Sequence, residues 1–358
     1  MATIRDVAQR ANVSISTVSR VINDSKNVSP QLRLQVEQAV RELGFTTNRL
    51  ARGLKSSRSK SIAVILTSFS RTFFTDVLDG ISKRAAQHGY SVLISETNDS
   101  LETEEQLVRY YASQWVDGII LDSVAFFGDD EKVCRHCAML SRLEKNGRPI
   151  PVVTLEYPCP DPQVDSVVID HAAAAKAATS HLLDTGKSRI LHITAPLNSY
   201  FGKERLAGYV AALNERGLVR SDNLIYEGDF SSASGYRAVD ALLRRGTRFD
   251  GIFAANDQMA LGALMACKEH GLRIPEDVAI MGNDNIFVTA VVSPSLSSVD
   301  VPRYQLGTSA MDLLHENICI GRRKLRRTLI TLDTKLVLRA STVPGKQPDW
   351  EEFKSLHW

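Results

Sequence analysis

The 358-residue sequence contains no run of eighteen apolar residues, so no membrane-spanning helix is expected. Its N-terminus lacks the apolar stretch of a secretory signal, which argues against export and for a cytoplasmic location. Cysteine is sparse. Cys134, Cys137, Cys159, Cys267 and Cys319 are scattered and odd in number, the usage of reduced thiols and not of a disulfide framework. Cys134 and Cys137 form a C-x-x-C around His136, but a zinc site normally needs a second pair at matched spacing, and none follows. Neither a metal nor any other cofactor is therefore expected, and residues 129–146 read as a helix. No G-x-S-x-G elbow, Walker loop or convergent nucleophile–base pair is present, so the sequence does not point to an enzyme. The polar stretch 344–358 holds Trp350, Phe353 and Trp358 but lacks the leucine heptads of a coiled coil.

What the chain does contain is a globular composition, 44% hydrophobic and 23% charged, at a length beyond one typical domain. Its net charge of +2 hides an asymmetry. Residues 1–60 carry 11 Lys and Arg against 4 Asp and Glu, while the remainder carries 32 against 37. A basic front on an acidic body suits a chain that grips phosphate at one end only.

That front has a recognisable pattern. Thr3 is placed to cap a helix whose Ile4, Val7, Ala8 and Ala11 share one face. Asn12-Val13-Ser14 is short enough to be a tight turn, and Ser14 then caps a second helix with Val18, Val21 and Ile22 inward. Two short helices joined this way are a helix-turn-helix unit, whose second helix enters the DNA major groove. Ser29-Pro30 starts a third helix with Leu32, Val36, Ala39, Val40 and Leu43 inward, and Gly44 stops it. A basic segment with two leucines, Asn48-Arg49-Leu50-Ala51-Arg52-Gly53-Leu54-Lys55, leads into the linker Ser56 to Ser61.

Headpiece, short basic segment and Ser-rich linker, in that order, resemble the LacI/GalR family of repressors. The resemblance implies a homodimer that binds pseudo-palindromic double-stranded operator DNA and answers to a small-molecule effector. It implies that Ile15 and Ser16 read bases beside Ser14 and Thr17, and that Arg20 reads a guanine. Thr3, Ser19, Asn23 and Ser29 would hold phosphate. Leu54 would enter the minor groove and kink the operator, flanked by Asn48, Arg49, Ala51 and Lys55; its other role is apolar capping of the short helix. That helix, holding Gly53, is expected to fold only in a dimer on DNA.

From Ser61 onward, short apolar runs alternate with amphipathic helices, the pattern of parallel sheets covered on both faces. The first series has runs 62–66, 92–94, 118–121 and 152–155; a second opens with Val167-Val168-Ile169 and continues through 190–193, 251–255 and 278–281. Two series of this length predict two doubly wound α/β lobes, and the resemblance implies a periplasmic-binding-protein-like core. The expected organisation is a headpiece at 1–47, a hinge and linker at 48–60, a core at 61–343 and a tail at 344–358. Lobe 1 is expected over about 61–155 and 288–322, and lobe 2 over about 156–287 and 323–343. Ser297–Asp300 and the helix at 304–317 are expected to rejoin the first lobe, and Leu329–Leu332 and Leu336–Leu338 to return to the second.

Ligands of open α/β sheets bind beyond the carboxyl ends of strands. The candidates at those ends are Phe73, Phe74, Asp122, Glu156, Asp170, Phe201, Arg205, Asn256, Asp257 and Asp284. Arg and carboxylate groups can each hold two neighbouring hydroxyls, and Phe73 can stack on the apolar face of a ring. Asp170 and Asp257 read as helix caps before ligands, Phe74 also suits the core, and Arg205 can alternatively form an ion pair between lobes. By resemblance Arg205, Asn256 and Asp284 would grip sugar hydroxyls. Family members that bind purines use an Arg and a Thr where this chain has Ser199 and Phe201, so a small sugar is the expected effector.

Overall fold

The computed structural model describes residues 2–22, 28–45, 58–114, 116–124, 130–322 and 326–348. By its internal contacts the chain divides into two compact units, residues 1–59 and 60–358.

The first unit holds α1 (Ile4–Arg10), α2 (Ile15–Ile22) and α3 (Pro30–Glu42). Thr3 closes a full capping box on α1: its hydroxyl accepts from Asp6 N, and the Asp6 carboxylate accepts from Thr3 N at 2.7 Å. Ser14 Oγ accepts from Thr17 N at 3.1 Å and Ser29 Oγ from Leu32 N at 3.4 Å, so the serines expected at helix starts do cap them. Val7, Ala8, Ala11, Val18, Val21, Val36 and Ala39 form one small core. Arg10 ties α1 to Glu42 at the end of α3. One expectation fails: Leu32 is 37% exposed. It lies in the first turn of α3, one turn before the helix reaches the core at Val36, so little covers it.

The second unit is built on two six-stranded sheets. The first runs β13 (Leu329–Leu332), β7 (Asp165–Ile169), β6 (Val152–Leu155), β3 (Gly118–Leu121), β1 (Ser61–Leu66) and β2 (Ser91–Glu96), all parallel. The second runs β14 (Lys335–Val337), β12 (Ser297–Asp300), β11 (Ala279–Asp284), β10 (Gly251–Ala254), β8 (Ile190–Thr194) and β9 (Ile225–Glu227). Only β14, at its edge, is antiparallel. In the first sheet Val64, Ile120 and Val153 face one apolar cluster and Ala63, Ile65 and Ile119 the other. The second sheet likewise has a cluster on each face, so each sheet is a doubly wound layer.

Three helix pairs press together through glycine. Between α9 (Ser232–Arg244) and α10 (Asp257–Glu269), a Cβ added to Gly235 would collide with the Met259 carbonyl. One added to Gly262 would collide with the Ser232 carbonyl. Neither neighbour is a flexible side-chain end, so these backbones can meet only without side chains.

The strands form where expected, but their sheet membership differs. Val167–Ile169 does not open the second sheet; it lies in β7 of the first. Ser297–Asp300 stays in the second sheet beside β11, and Leu329–Leu332 joins the first beside β7. Lobe boundaries at 155/156, 287/288 and 322/323 therefore shift to the points where the chain changes sheets: after Ile169, after Asp300 and after Leu332. Crossing of the late helix holds, since α12 (Arg303–Ile320) packs on the first sheet and on α4 (Phe74–Gln87). The helix expected over 129–146 stops earlier, as α6 (Asp130–Ser141). A two-strand hairpin, Glu144–Lys145 with Arg148–Pro149, replaces its last turn. Asn146 and Gly147 between the strands both take positive φ, 52° and 74°, the two-residue turn that suits a hairpin.

Candidate functional site

In the first unit, α2 presents Ser14, Ile15, Ser16 and Arg20 to solvent, with Val18 and Val21 buried behind them. Ile15 is 46% exposed on this otherwise polar face, so a partner that covers it removes apolar area from water. A thymine methyl in the major groove is such a partner. Thr17 and Ser19 are half-buried beside it, and Thr3 and Ser29 are exposed at helix starts. Ser14 hydroxyl bonds to Ser16 and Thr17 as well as capping α2, so its side chain is already engaged. Asn23, Asn48, Arg49, Ala51, Leu54 and Lys55 lie outside the described residues.

In the second unit, one cavity collects residues from the carboxyl ends of both sheets. Phe73, Phe74, Asp122 and Glu156 come from the first; Phe201, Arg205, Asn256 and Asp284 come from the second. Eight of the ten candidates named from the sequence line it, and Asp170 and Asp257 are not among its lining residues. Three further residues were missed: Arg71, Phe230 and Gln258.

The first sheet's share is built around Asp122, which follows β3. Thr67 Oγ1 donates to it at 2.6 Å, and Arg71 donates to Thr67 Oγ1 at 2.6 Å. Arg71 Nη2 also donates to both carboxylate oxygens of Asp99, at 2.8 and 2.9 Å. Its guanidinium lies 4.8 Å from the ring centre of Phe230, which follows β9, so Arg71 spans the two lobes. Gln258 reaches from α10 toward the Ser70 carbonyl, a long contact at 3.5 Å. Phe74 belongs to the first lobe's apolar core as well as to the cavity wall and meets Phe73 edge to face.

On the second lobe Arg205 is 5% exposed. It donates to the Ala255 carbonyl at 2.7 Å and stands 3.4 Å from His171 Nδ1, while its Nε has no partner among the described residues. The ion pair considered for it is absent among those residues. Instead, Arg303 at the start of α12 pairs with Asp76 of α4 and donates to the Asn285 carbonyl just past β11. Asp170 caps α7 (His171–Asp184), as expected. Asp257 does not cap α10; Asn256 does, accepting from Met259 N at 2.9 Å. The Asp257 carboxylate turns inward instead, accepting from Ile286 N and Ser298 Oγ, which ties α10 to the strand ends. Because Asn256 also donates to the Phe230 carbonyl at 3.0 Å, its amide positions the wall more than it offers groups to a ligand.

Three buried carboxyl groups, Asp122, Glu156 and Asp284, line the cavity, and Asp257 is buried behind its wall. Burial pushes Asp122 and Asp284 up to about 6, and Glu156 and Asp257 up to about 8. Asp122 and Asp284 add repulsion at Glu156, and Asp284 adds it at Asp257. Arg205 works against the shift at Glu156 and Asp284. Glu156 Oε1 has no hydrogen-bond partner among the described residues, and His171 Nε2 stands 3.7 Å away, beyond hydrogen-bond range. Burial drives His171 well below its ordinary value, with Arg205 adding to the effect, so that imidazole is neutral.

A pH dependence of stability follows. Glu156 and Asp257 keep protons in the folded chain at pH values where the unfolded chain has lost them. The stability they lend is present at low pH and is lost as pH rises toward about 8. The buried imidazoles of His171 and His192 act oppositely, but only below about 6.5. The melting temperature is therefore expected to fall between pH 6.5 and 8 and then level off. Glu156→Gln should flatten the slope; a scan that rises over this window would contradict the assignment.

The chain matches two family models. Residues 3–48 match the model described as bacterial regulatory proteins, lacI family. Residues 59–339 match that of periplasmic binding proteins and the sugar binding domain of the LacI family. The chain belongs to the LacI family. Like its relatives it is a DNA-binding transcriptional regulator with an effector-binding core. The transcriptional repressor PurR of Salmonella paratyphi B is 33% identical over 353 residues, 98% of this chain and 99% of that one. The structure of the regulator CelR in complex with cellobiose is 32% identical with a TM-score of 0.70, covering 95% of this chain and 100% of that one. The lac repressor dimer bound to operator and the anti-inducer ONPF is 29% identical with a TM-score of 0.82, covering 96% and 99%. Among the described residues of this LacI-family chain, no helix is long and apolar enough to cross a membrane, and no three His, Cys, Asp or Glu side chains are grouped to hold a metal.

Proposed function

We propose that this regulator is a cytoplasmic repressor whose two headpieces, in a homodimer, read operator half-sites through Ile15, Ser16 and Arg20. A small polyol bound in the core cavity changes that grip. The observation that carries the reading is the convergence of both lobes' strand ends on one polar cavity, in a chain that also presents a helix-turn-helix. A ligand touching both walls binds the closed arrangement better than an open one, and such a difference is what shifts a population. The cleft is read as a binding site and not a catalytic one: its polar groups suit hydroxyls, and the described residues that line it include no serine, threonine, cysteine or lysine to act as a nucleophile.

Identity to PurR favours a nucleobase as a second reading. The loop ahead of α8 (Tyr200–Glu215) counts against it. Ser199 is fully buried, its hydroxyl donating to the Pro196 carbonyl while accepting from Gly202 N, and Phe201 offers only an apolar ring. Little is left there to donate to ring nitrogens. A gel-shift assay with genomic fragments tests the regulator itself. Selective retardation that weakens steeply with salt is expected, and retardation of all fragments alike would remove the operator reading.

A further inference from the structure

The two sheets are joined at one side. The chain crosses between them after β7, β12 and β13, and these strands, with β14, lie at one edge of each sheet. β1 and β2 form the opposite edge of the first sheet, and β8 and β9 that of the second. Rotation about the crossovers therefore opens the cleft most at the loops that follow these far strands. Two side chains meet there across the cleft. Arg71, after β1, has its guanidinium 4.8 Å from the ring centre of Phe230, after β9. Gln258 reaches the same first-lobe loop from the second lobe, at the Ser70 carbonyl.

Both partners are held from behind. Thr67 Oγ1 accepts from Arg71 Nη1 at 2.6 Å, and Asp99, after β2, accepts from Arg71 Nη2 at 2.8 and 2.9 Å. Phe230 has a φ of 68°, a left-handed backbone that a bulky residue keeps only where its surroundings impose it. Here Asn256 donates to the Phe230 carbonyl at 3.0 Å, and Asp229 accepts from Ser231 N at 2.9 Å. Strain is thus maintained at the residue whose ring reaches the other lobe.

We propose that Arg71 and Phe230 form a latch that holds the two lobes closed before any effector binds. The contact joins side chains of this chain alone, a cation on an aromatic ring, and its attraction grows as water is excluded from the cleft. Opening the cleft exposes the ring and leaves Arg71 on Thr67 and Asp99 of its own lobe. The latch sets the closed fraction of the free chain, and the apparent affinity of a ligand that needs both walls scales with that fraction. Its consequence for DNA rests on the reading of the cleft as the switch; the closure itself does not.

Hydrogen exchange of the full chain without ligand, followed by mass spectrometry, tests the latch from both sides. Arg71→Ala is expected to speed exchange about threefold or more in residues 228–234, on the second lobe. Phe230→Leu, which keeps apolar bulk and removes the ring face, should do the same in residues 68–74, on the first. In a Phe230→Leu background, Arg71→Ala should add nothing at 228–234. β1 and β8 should keep wild-type exchange, which shows that both lobes remain folded. Faster exchange confined to the mutated loop, with the facing lobe unchanged, overturns the latch, as do additive effects in the double variant. Operator affinity of the same variants separates latch from switch. A shift that accompanies the loosened exchange supports both. Loosened exchange at constant operator affinity keeps the latch and contradicts the reading of the cleft as the switch.

Discussion

Asp284→Ala is expected to abolish effector binding, by about 100-fold or more. Asp284 ends β11, is 6% exposed, and lines the cavity with its carboxylate held by Asn283 Nδ2 at 2.7 Å. A hydrogen bond to a charged group contributes about 1.5–3 kcal/mol, and one carboxylate can hold two neighbouring ligand donors. Losing both also leaves the ligand's donors buried and unpaired. Stability should move the other way. Asp284 repels Asp257, so Asp284→Asn is expected to relieve that repulsion and leave the melting temperature unchanged or higher at neutral pH. Calorimetry with any compound that stabilises the wild-type chain in a thermal-shift screen makes the measurement. Retained affinity in a folded Asp284→Ala chain would place the ligand elsewhere.

Arg20→Ala is expected to weaken binding to a selected operator by about 10- to 100-fold while leaving affinity for unrelated DNA nearly unchanged. Arg20 is exposed on α2, outside the headpiece core. An arginine bonded to guanine O6 and N7 together contributes about 1–3 kcal/mol of discrimination against the wrong base. A phosphate contact would contribute equally to every sequence and would lower the salt slope. Fluorescence anisotropy on operator and scrambled duplexes at several salt concentrations separates the two. Equal losses on both would assign Arg20 to the backbone.

The headpiece was legible because its signals are local: Thr3, Ser14 and Ser29 sit at helix starts, and the valines recur at helical spacing. The cavity was legible for a different reason. β1, β3, β6, β8 and β10 each carry a short apolar run, so their carboxyl ends can be found by eye, and parallel pairing within each sheet sends those ends to one side. That logic reached eight wall residues and failed where it lacked purchase. Phe230 follows β9, a three-residue strand whose Ile225 and Tyr226 make too short a run to notice. Arg71 and Gln258 matter through contacts with Phe230 and Ser70, distant in sequence, and no spacing rule reports those. The hairpin at 144–149 did carry a signal, Asn146-Gly147, which the helical pattern before it obscured. Sheet membership was the hardest to read. An apolar run such as Val167–Ile169 identifies a strand, while which neighbour it pairs with is settled by where three crossovers fall. The exchange of Asn256 and Asp257 as cap and inward tie is a smaller case: both residues cap well, and only Ile286 and Ser298 packing behind them decide.

Filling the core cavity is expected to change the headpiece's grip on DNA. This is tested by measuring operator affinity of the full chain with and without a saturating cavity ligand, side by side with Asp284→Ala. At least a tenfold change is expected in the wild type and none in the variant. An operator affinity that stays constant while calorimetry shows the wild-type cavity filled would contradict it.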